Sequence, residues 1–245
     1  EAKEDYPQIN SNILQIEDEY YAIARPKSSS DSSQRLTTKL NDTGVDYIEL
    51  RSLDVNPFQR IGIDLDTVHF LEMLLLYCTL KSSPSINNDE IEESRENDLL
   101  VATKGRESGL SLSKNRTKIS LQNWANQILD EMMPIAELLD YKTNTFTGII
   151  AKTRAHIMDP DQTLSGMLLN KVLSEKMSFH ELGRAIGEDY KKHYISMETS
   201  KNSDWSLLEK ESADSKQRQV ELEQASNQSF EDFVKEYCNE SSCKN

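Results

Sequence analysis

Cysteine and histidine are scarce in this chain and basic residues are outnumbered by acidic ones, and each shortfall closes off a class of function. Only Cys78, Cys238 and Cys243 occur in 245 residues. Their number is odd and their spacing irregular, so no disulfide framework is expected and a reducing compartment is the simplest setting. Cys78 lies in an apolar run and reads as core; the other two lie near a polar C-terminus and read as exposed. The four histidines, His69, His156, His180 and His193, are scattered without the His/Cys/Asp spacing of a zinc site. No G-x-G-x-x-G, P-loop or G-x-S-x-G signature is present. The longest apolar stretch, Val68 to Leu80, is interrupted by His69 and Glu72 and is too short to span a bilayer. No signal peptide opens the chain, so a cytoplasmic location without a membrane partner is expected.

Lysine and arginine number 28 against 42 aspartates and glutamates, giving a formal net charge of -14. Such a balance repels phosphate unless the basic residues cluster, and along the chain they are dispersed among carboxylates. Nucleic acid is therefore not an expected partner. The length suits one large domain or two small ones. The opening segment, Glu1 to Pro7, is polar and lacks an initiator methionine. It has the look of a cut in a longer polypeptide or of a processed terminus.

The first third differs from the rest. Ile9 to Ile23 alternates, with Leu14, Ile16 and Tyr20 on an apolar parity and Ile13, Gln15, Glu17 and Glu19 on a mostly polar one, a strand pattern. Ser28 to Asp42 is rich in Ser, Thr and Asp and reads as a flexible loop. Val45 to Leu53 reads as a second strand. After Asn56-Pro57 the pattern turns helical. Asp64 or Asp66 is expected to cap a helix to about Leu80, and Asn88 a second through Leu99 and Val101. Gly105 and Gly109 frame a turn. Ser120 begins the clearest amphipathic helix, through Leu121, Trp124, Ala125, Ile128, Leu129, Met132, Ala136 and Leu139, with a kink expected at Pro134. Further helices are expected over Phe146 to Met158, over Leu164 to Leu173, and from the capping box at Ser178 and Glu181 to Tyr194. The polar segment from Trp205 to Glu223 reads as a long exposed helix. A last helix, capped between Ser229 and Asp232, is expected to end near Cys238. The outcome is an α+β chain: a partial antiparallel sheet in 1–60, then a helical region packed against it in 61–245.

The densest chemistry is Asp46-Tyr-Ile-Glu-Leu-Arg-Ser-Leu-Asp54. On a strand, Glu49 and Arg51 project from the same face. A carboxylate beside a guanidinium suits a metal–phosphate site, the first binding a hard cation and the second clamping phosphoryl oxygens. On spacing alone, a salt bridge on a half-exposed strand is the commoner meaning. Tyr20 and Tyr21, followed by Arg25-Pro-Lys27, add an aromatic and basic segment able to reach a nucleotide, with a solvated loop end as the commoner alternative.

Three segments then carry a family likeness: Gln8 through Tyr21, Arg25-Pro-Lys27, and Tyr47-Ile-Glu-Leu-Arg-Ser-Leu-Asp-Val-Asn-Pro-Phe58. They resemble the proteobacterial glutamate–cysteine ligase family, and the likeness extends through Ile61-Gly62, Phe70-Leu71 and the turn at Gly105 to Leu110. The resemblance implies a curved active-site sheet similar to that of glutamine synthetase. It implies an ATP- and magnesium-dependent ligase for the first step of glutathione biosynthesis: the γ-carboxylate of L-glutamate is phosphorylated, and the amine of L-cysteine attacks the acyl phosphate. By the same resemblance, Glu49 is a magnesium ligand and Arg51 the catalytic contact to the transferred phosphoryl group. Tyr21 lines the cysteine pocket, and Arg25 and Lys27 lie near the nucleotide. The family's other metal ligands lie in an N-terminal half that these residues do not include. The expectations are a monomer completed by that half, no catalysis by the chain alone, and two competing readings: a non-catalytic helical fragment, or a ligase for another amine.

Overall fold

The computed structural model describes residues 12–29, 35–197, 203–225 and 228–240. By contact density the chain divides into two units, one comprising residues 1–54 with 197–245 and the other residues 55–196. The architecture is α+β, as expected: mostly helical, with two small antiparallel sheets.

In the first unit, β1 (Ala24–Lys27) pairs antiparallel with β2 (Tyr47–Leu50). The expected strand before Ile23 does not form in the described residues. Residues 9–11 lie outside them, and the following stretch carries a 3-10 turn at Glu17–Glu19. Alternation alone does not make a strand without a partner for its hydrogen bonds. The segment read as a flexible loop is also corrected, because α1 (Leu36–Thr43) occupies its second half. Its opening turn is capped from a distance: the Thr37 N–H and Oγ1 donate to the Glu17 carboxylate at 3.3 and 2.6 Å. That satisfies a donor the helix leaves open, and Gly44, at φ 82°, ends the helix in a conformation suited to glycine. Two later helices complete this unit, named α8 (Ser203–Ala225) and α9 (Phe230–Glu240) in chain order. Ser229 caps α9 as expected, its Oγ accepting the Asp232 N–H at 3.1 Å. Cys243 and the side chain of Cys238 lie outside the described residues.

The second unit holds α2 (Leu65–Leu80), α3 (Asn88–Lys104), β3 (Ser111–Lys114), β4 (Thr117–Ser120), α4 (Leu121–Leu139), α5 (Thr145–Met158), α6 (Leu164–Glu175) and α7 (Phe179–Ser196). Most of the expected caps are in place. Asp64 accepts from the Thr67 N–H, Ser120 from Asn123, and Ser178 exchanges bonds with Glu181. The cap of α3 is Asn87, one residue before the expected Asn88, and it forms a full capping box with Glu90. The stripe on α4 meets α2 and α5 in a core of Met73, Leu129, Met132, Ala136, Ile149 and Ile150. Pro134 lies inside α4, which runs on to Leu139. Cys78, expected in the core, is exposed on α2. An apolar run does not reveal which side of its helix faces outward, and here Met73 takes the buried side.

The β3–β4 hairpin was not expected, because its strands are short and polar. Its Asn115-Arg116 turn has both residues at positive φ, 53° and 60°, the geometry that matches strand twist in a two-residue hairpin. The turn is held from α3: Glu93 accepts both turn N–H groups, at 3.0 and 2.8 Å. Asn97, 8 % exposed, exchanges two bonds with Ser113.

Asp140 gives this unit a defined acid sensitivity. Its carboxylate accepts from the Phe146 and Thr147 N–H groups at 2.8 Å each, and from Thr147 Oγ1 at 2.7 Å. Those N–H groups belong to the first turn of α5, where a negative charge is favoured. Desolvation pushes its pKa up, but these bonds outweigh it and bring the value down to about 2. An aspartate in an unfolded chain titrates near ~3.9. The folded pKa is the lower one, so this stabilisation is fully present above the unfolded value and is lost as pH falls through about 4 towards about 2. In urea unfolding, Asp140→Asn is expected to lower the midpoint at pH 7 and to lose less stability than the parent between pH 7 and acid. A parallel pH dependence in both proteins would contradict this role for Asp140.

Candidate functional site

The pairing of β1 with β2 decides which of the singled-out side chains meet. The register sets Arg25 opposite Glu49 and Lys27 opposite Tyr47. Residues two apart on a strand share a face, so Arg25, Lys27, Tyr47 and Glu49 face the same way. Arg51, just beyond β2, is locked to that pattern because its N–H donates to the Ile23 carbonyl at 2.8 Å. Its guanidinium then reaches back to Glu49 Oε2 at 2.8 Å, and Lys27 Nζ lies 3.6 Å from the same oxygen. All five residues assigned roles by resemblance therefore belong to one unit, and four of them share one sheet face. Arg25 is 7 % exposed. The fifth, Tyr21, packs against Arg51: its hydroxyl donates to the Arg51 carbonyl at 3.2 Å, and the guanidinium lies 5.5 Å from its ring centroid. That contact joins a hydrogen bond to a cation–π arrangement.

Cations dispersed along the chain thus meet on this face: Lys27 and Arg51 both contact the Glu49 carboxylate, and Arg25 stands across the strand pair from it. In a chain of net charge -14 this is a local positive field suited to an anion. The Arg51 hydrogen bond, against an opposing desolvation, holds Glu49 below the usual carboxylate range, with the charges of Arg51 and Lys27 adding to it. Glu49 is therefore ionised at neutral pH, and both of its ion-pair contacts fall on Oε2.

Asp46 opens the stretch singled out from the sequence but carries no role there. It joins the two strands where β1 ends: its N–H donates to the Lys27 carbonyl at 2.9 Å, and its Oδ2 accepts from the Ser29 N–H and Oγ, both at 2.7 Å. The Ser29 N–H, then its hydroxyl, hold the Asp46 carboxyl below its ordinary value. A short polar residue just before a strand is a common turn signal, but what it bonds depends on the register.

Among the described residues, no group of three or more His, Cys, Asp or Glu side chains is placed to hold a metal ion. Nor is any described helix long and apolar enough to cross a membrane. As a magnesium site, Glu49 fits one position: an ionised carboxylate with Oε1 outside its ion pairs. Magnesium takes roughly six oxygen ligands, so the remainder must come from phosphates, water and other protein groups.

Residues 1–101 match the family model described as glutamate-cysteine ligase. A glutamate–cysteine ligase from Alcanivorax borkumensis is 35 % identical over 95 % of this chain, and one from Shewanella oneidensis is 36 % identical over the same share. The chain spans 44 % and 45 % of those two proteins, less than half of each. A crystal structure of glutamate–cysteine ligase from Francisella tularensis in complex with AMP superposes with a TM-score of 0.86 at 28 % identity, covering 96 % of this chain and 46 % of that one. The likeness runs through both units, well beyond the segment matched by the family model. Along nearly its whole length the chain is similar to glutamate–cysteine ligases, and it corresponds to their C-terminal part.

Proposed function

We propose that this chain forms one wall of the active site of an ATP-dependent ligase that joins the γ-carboxylate of L-glutamate to the amine of L-cysteine. The observation that carries the reading is the single sheet face on which Glu49, Arg51, Arg25 and Lys27 meet. Phosphoryl transfer is chiefly a matter of positioning and charge neutralisation, and this face provides both. The AMP bound by the Francisella tularensis relative supports an adenine nucleotide as the anion.

In this mechanism a γ-carboxylate oxygen of glutamate attacks the γ-phosphorus of ATP, and ADP leaves. The cysteine nitrogen then attacks the acyl carbon; phosphate leaves and an amide bond remains. Arg51 donates to phosphoryl oxygens as negative charge builds there, an interaction that strengthens in the transition state and so raises kcat. Arg25 and Lys27 hold the nucleotide phosphates. Glu49 contributes one oxygen to magnesium, which when bound neutralises phosphate charge. Tyr21, beside Arg51, borders the cysteine-binding region. With cysteine's amine as nucleophile, Tyr21→Ala is expected to raise the apparent KM for cysteine several-fold more than that for ATP, measured by initial rates. Equal rises in both would count against the cysteine pocket.

The wall is incomplete in two respects, and both support completion by the part of the relatives that this chain does not cover. One is the shortage of acidic ligands, since among the described residues no group of three or more is placed to hold a metal ion. The other is the two-stranded sheet, which is marginal by itself. The Arg51–Ile23 bond places residues 25 with 49, and 27 with 47, in hydrogen-bonded pairs. Ile48 and Leu50 therefore turn their backbone N–H and C=O groups to the outer edge of β2. On β1 the outward-facing residues are Ala24 and Pro26, and Pro26 has no N–H to offer. A further strand is better received at β2 than at β1. The experiment is an assay of the chain with that complementary part supplied. It should form γ-glutamylcysteine and ADP in equal amounts, dependent on magnesium; loss of selectivity for cysteine over other amines would overturn the substrate assignment.

A further inference from the structure

The ion pair between Lys27 and Glu49 spans 3.6 Å, and Lys27 is the last residue of its strand. Strand ends fray, and a lysine stem has many rotamers to lose before it settles on one partner. Something must fix where this stem begins. Past Lys27 the chain is gripped at two successive residues. Ser28 Oγ shares a hydrogen bond of 2.8 Å with Thr43 Oγ1 at the end of α1. Ser29 gives both of its donors to one oxygen of Asp46. Asp46 also reaches Lys27 itself through the backbone. One residue thus binds the strand terminus and the chain just beyond it, and its carboxylate does so as an ionised acceptor, the stronger kind.

We infer that Asp46 is a positioning residue for the basic pair: by clasping the chain as it leaves β1, it holds Lys27 against Glu49 on the face that receives phosphate. The nucleotide part of this statement rests on the function proposed above; the clasp itself does not. Asp46 is adjacent to Tyr47, so its side chain leaves the strand on the opposite side from Glu49. Its influence on Glu49 passes through Lys27 and not through direct contact.

The test is a carboxyl titration of Glu49 by NMR in the 245-residue chain, comparing the parent with Asp46→Ala, Asp46→Asn, Lys27→Met and the double variant Asp46→Ala with Lys27→Met. Lys27→Met should move the Glu49 midpoint upward. Asp46→Ala should move it upward by a similar amount, and should add nothing once Lys27 is gone. Asp46→Asn keeps an oxygen for Ser29 and should restore the parent value. A purely electrostatic role gives the opposite sign, since removing a neighbouring negative charge lowers a carboxyl pKa, and gives it equally for Ala and Asn. That result, or no shift in Asp46→Ala, overturns the clasp. A shift in Asp46→Ala larger than that of Lys27→Met also overturns it, because the register itself would then have been lost. In the assembled ligase, Asp46→Ala should raise the KM for ATP roughly threefold, as expected for loosening one exposed ion pair, with the KM for cysteine unchanged. If the assembled parent protein makes no product, the proposed function fails while the titration still decides the clasp.

Discussion

Replacing Arg51 with alanine is expected to reduce kcat of the assembled ligase by about 10²–10³, roughly 2.7–4 kcal/mol, the cost of removing one preorganised donor from developing oxyanion charge. Two contacts set the guanidinium in place. Glu49 Oε2 accepts from it at 2.8 Å, and the Tyr21 ring lies under it with the centroid 5.5 Å away. Only about a quarter of the Arg51 side chain is exposed, 23 %, so little reorganisation is needed when charge develops beside it. Arg51→Lys keeps the charge but loses the planar fork that matches phosphoryl oxygens, and should recover only a small part of the rate. The KM for ATP should change far less than kcat in both variants, because the contact tightens in the transition state. Steady-state rates across an ATP series separate the two effects. A loss confined to KM would mean that Arg51 merely binds nucleotide.

The second large effect lies in the helical unit and concerns stability. Ile150→Ala is expected to lower the unfolding free energy by about 2–5 kcal/mol, the range for emptying a buried aliphatic site. Ile150 is completely buried, and it meets Met73, Met132 and Ala136 in the same cluster. That cluster joins α2, α4 and α5, with the partly buried Phe70, Leu74, Ile128 and Phe146 packed against it, so the loss falls on a site enclosed by neighbouring side chains. Leu138→Ala is the matched control. Leu138 is on α4 yet 80 % exposed, and its loss should fall within about 0.5 kcal/mol. Urea midpoints for the two variants test the contrast directly; similar losses would contradict the assigned core.

What could be read from the sequence divides along the range of the interactions. The caps Asp64, Ser120 and Ser178 were legible because each bonds within three residues of itself. Helix α1 was not, since its capping carboxylate, Glu17, lies twenty residues from Thr37. The β3–β4 hairpin was hidden for a similar reason: its turn is satisfied by Glu93 on α3, more than twenty residues away in sequence. At the site, Glu49 and Arg51 stood out because a spacing of two on a strand fixes a common face without knowledge of the fold. The place of Arg25, directly across from Glu49, depends on register, and register is set only once β1 and β2 pair. The same holds for Asp46. The dispersed basic residues belied their arrangement, since the cluster of Arg25, Lys27 and Arg51 exists only across two strands. The roles given to these residues come from the family likeness; the physics of the face accounts for why such residues would serve there.

The central claim is that this face is one wall of a ligase site whose remaining ligands lie in the part of the relatives that the chain does not cover. The most direct measurement is ATP-, glutamate- and cysteine-dependent formation of γ-glutamylcysteine by three samples: the chain alone, the complementary part alone, and the two together. Product is expected only from the mixture, and only with magnesium. Robust turnover by the chain alone, or none from a well-folded mixture, would contradict the claim.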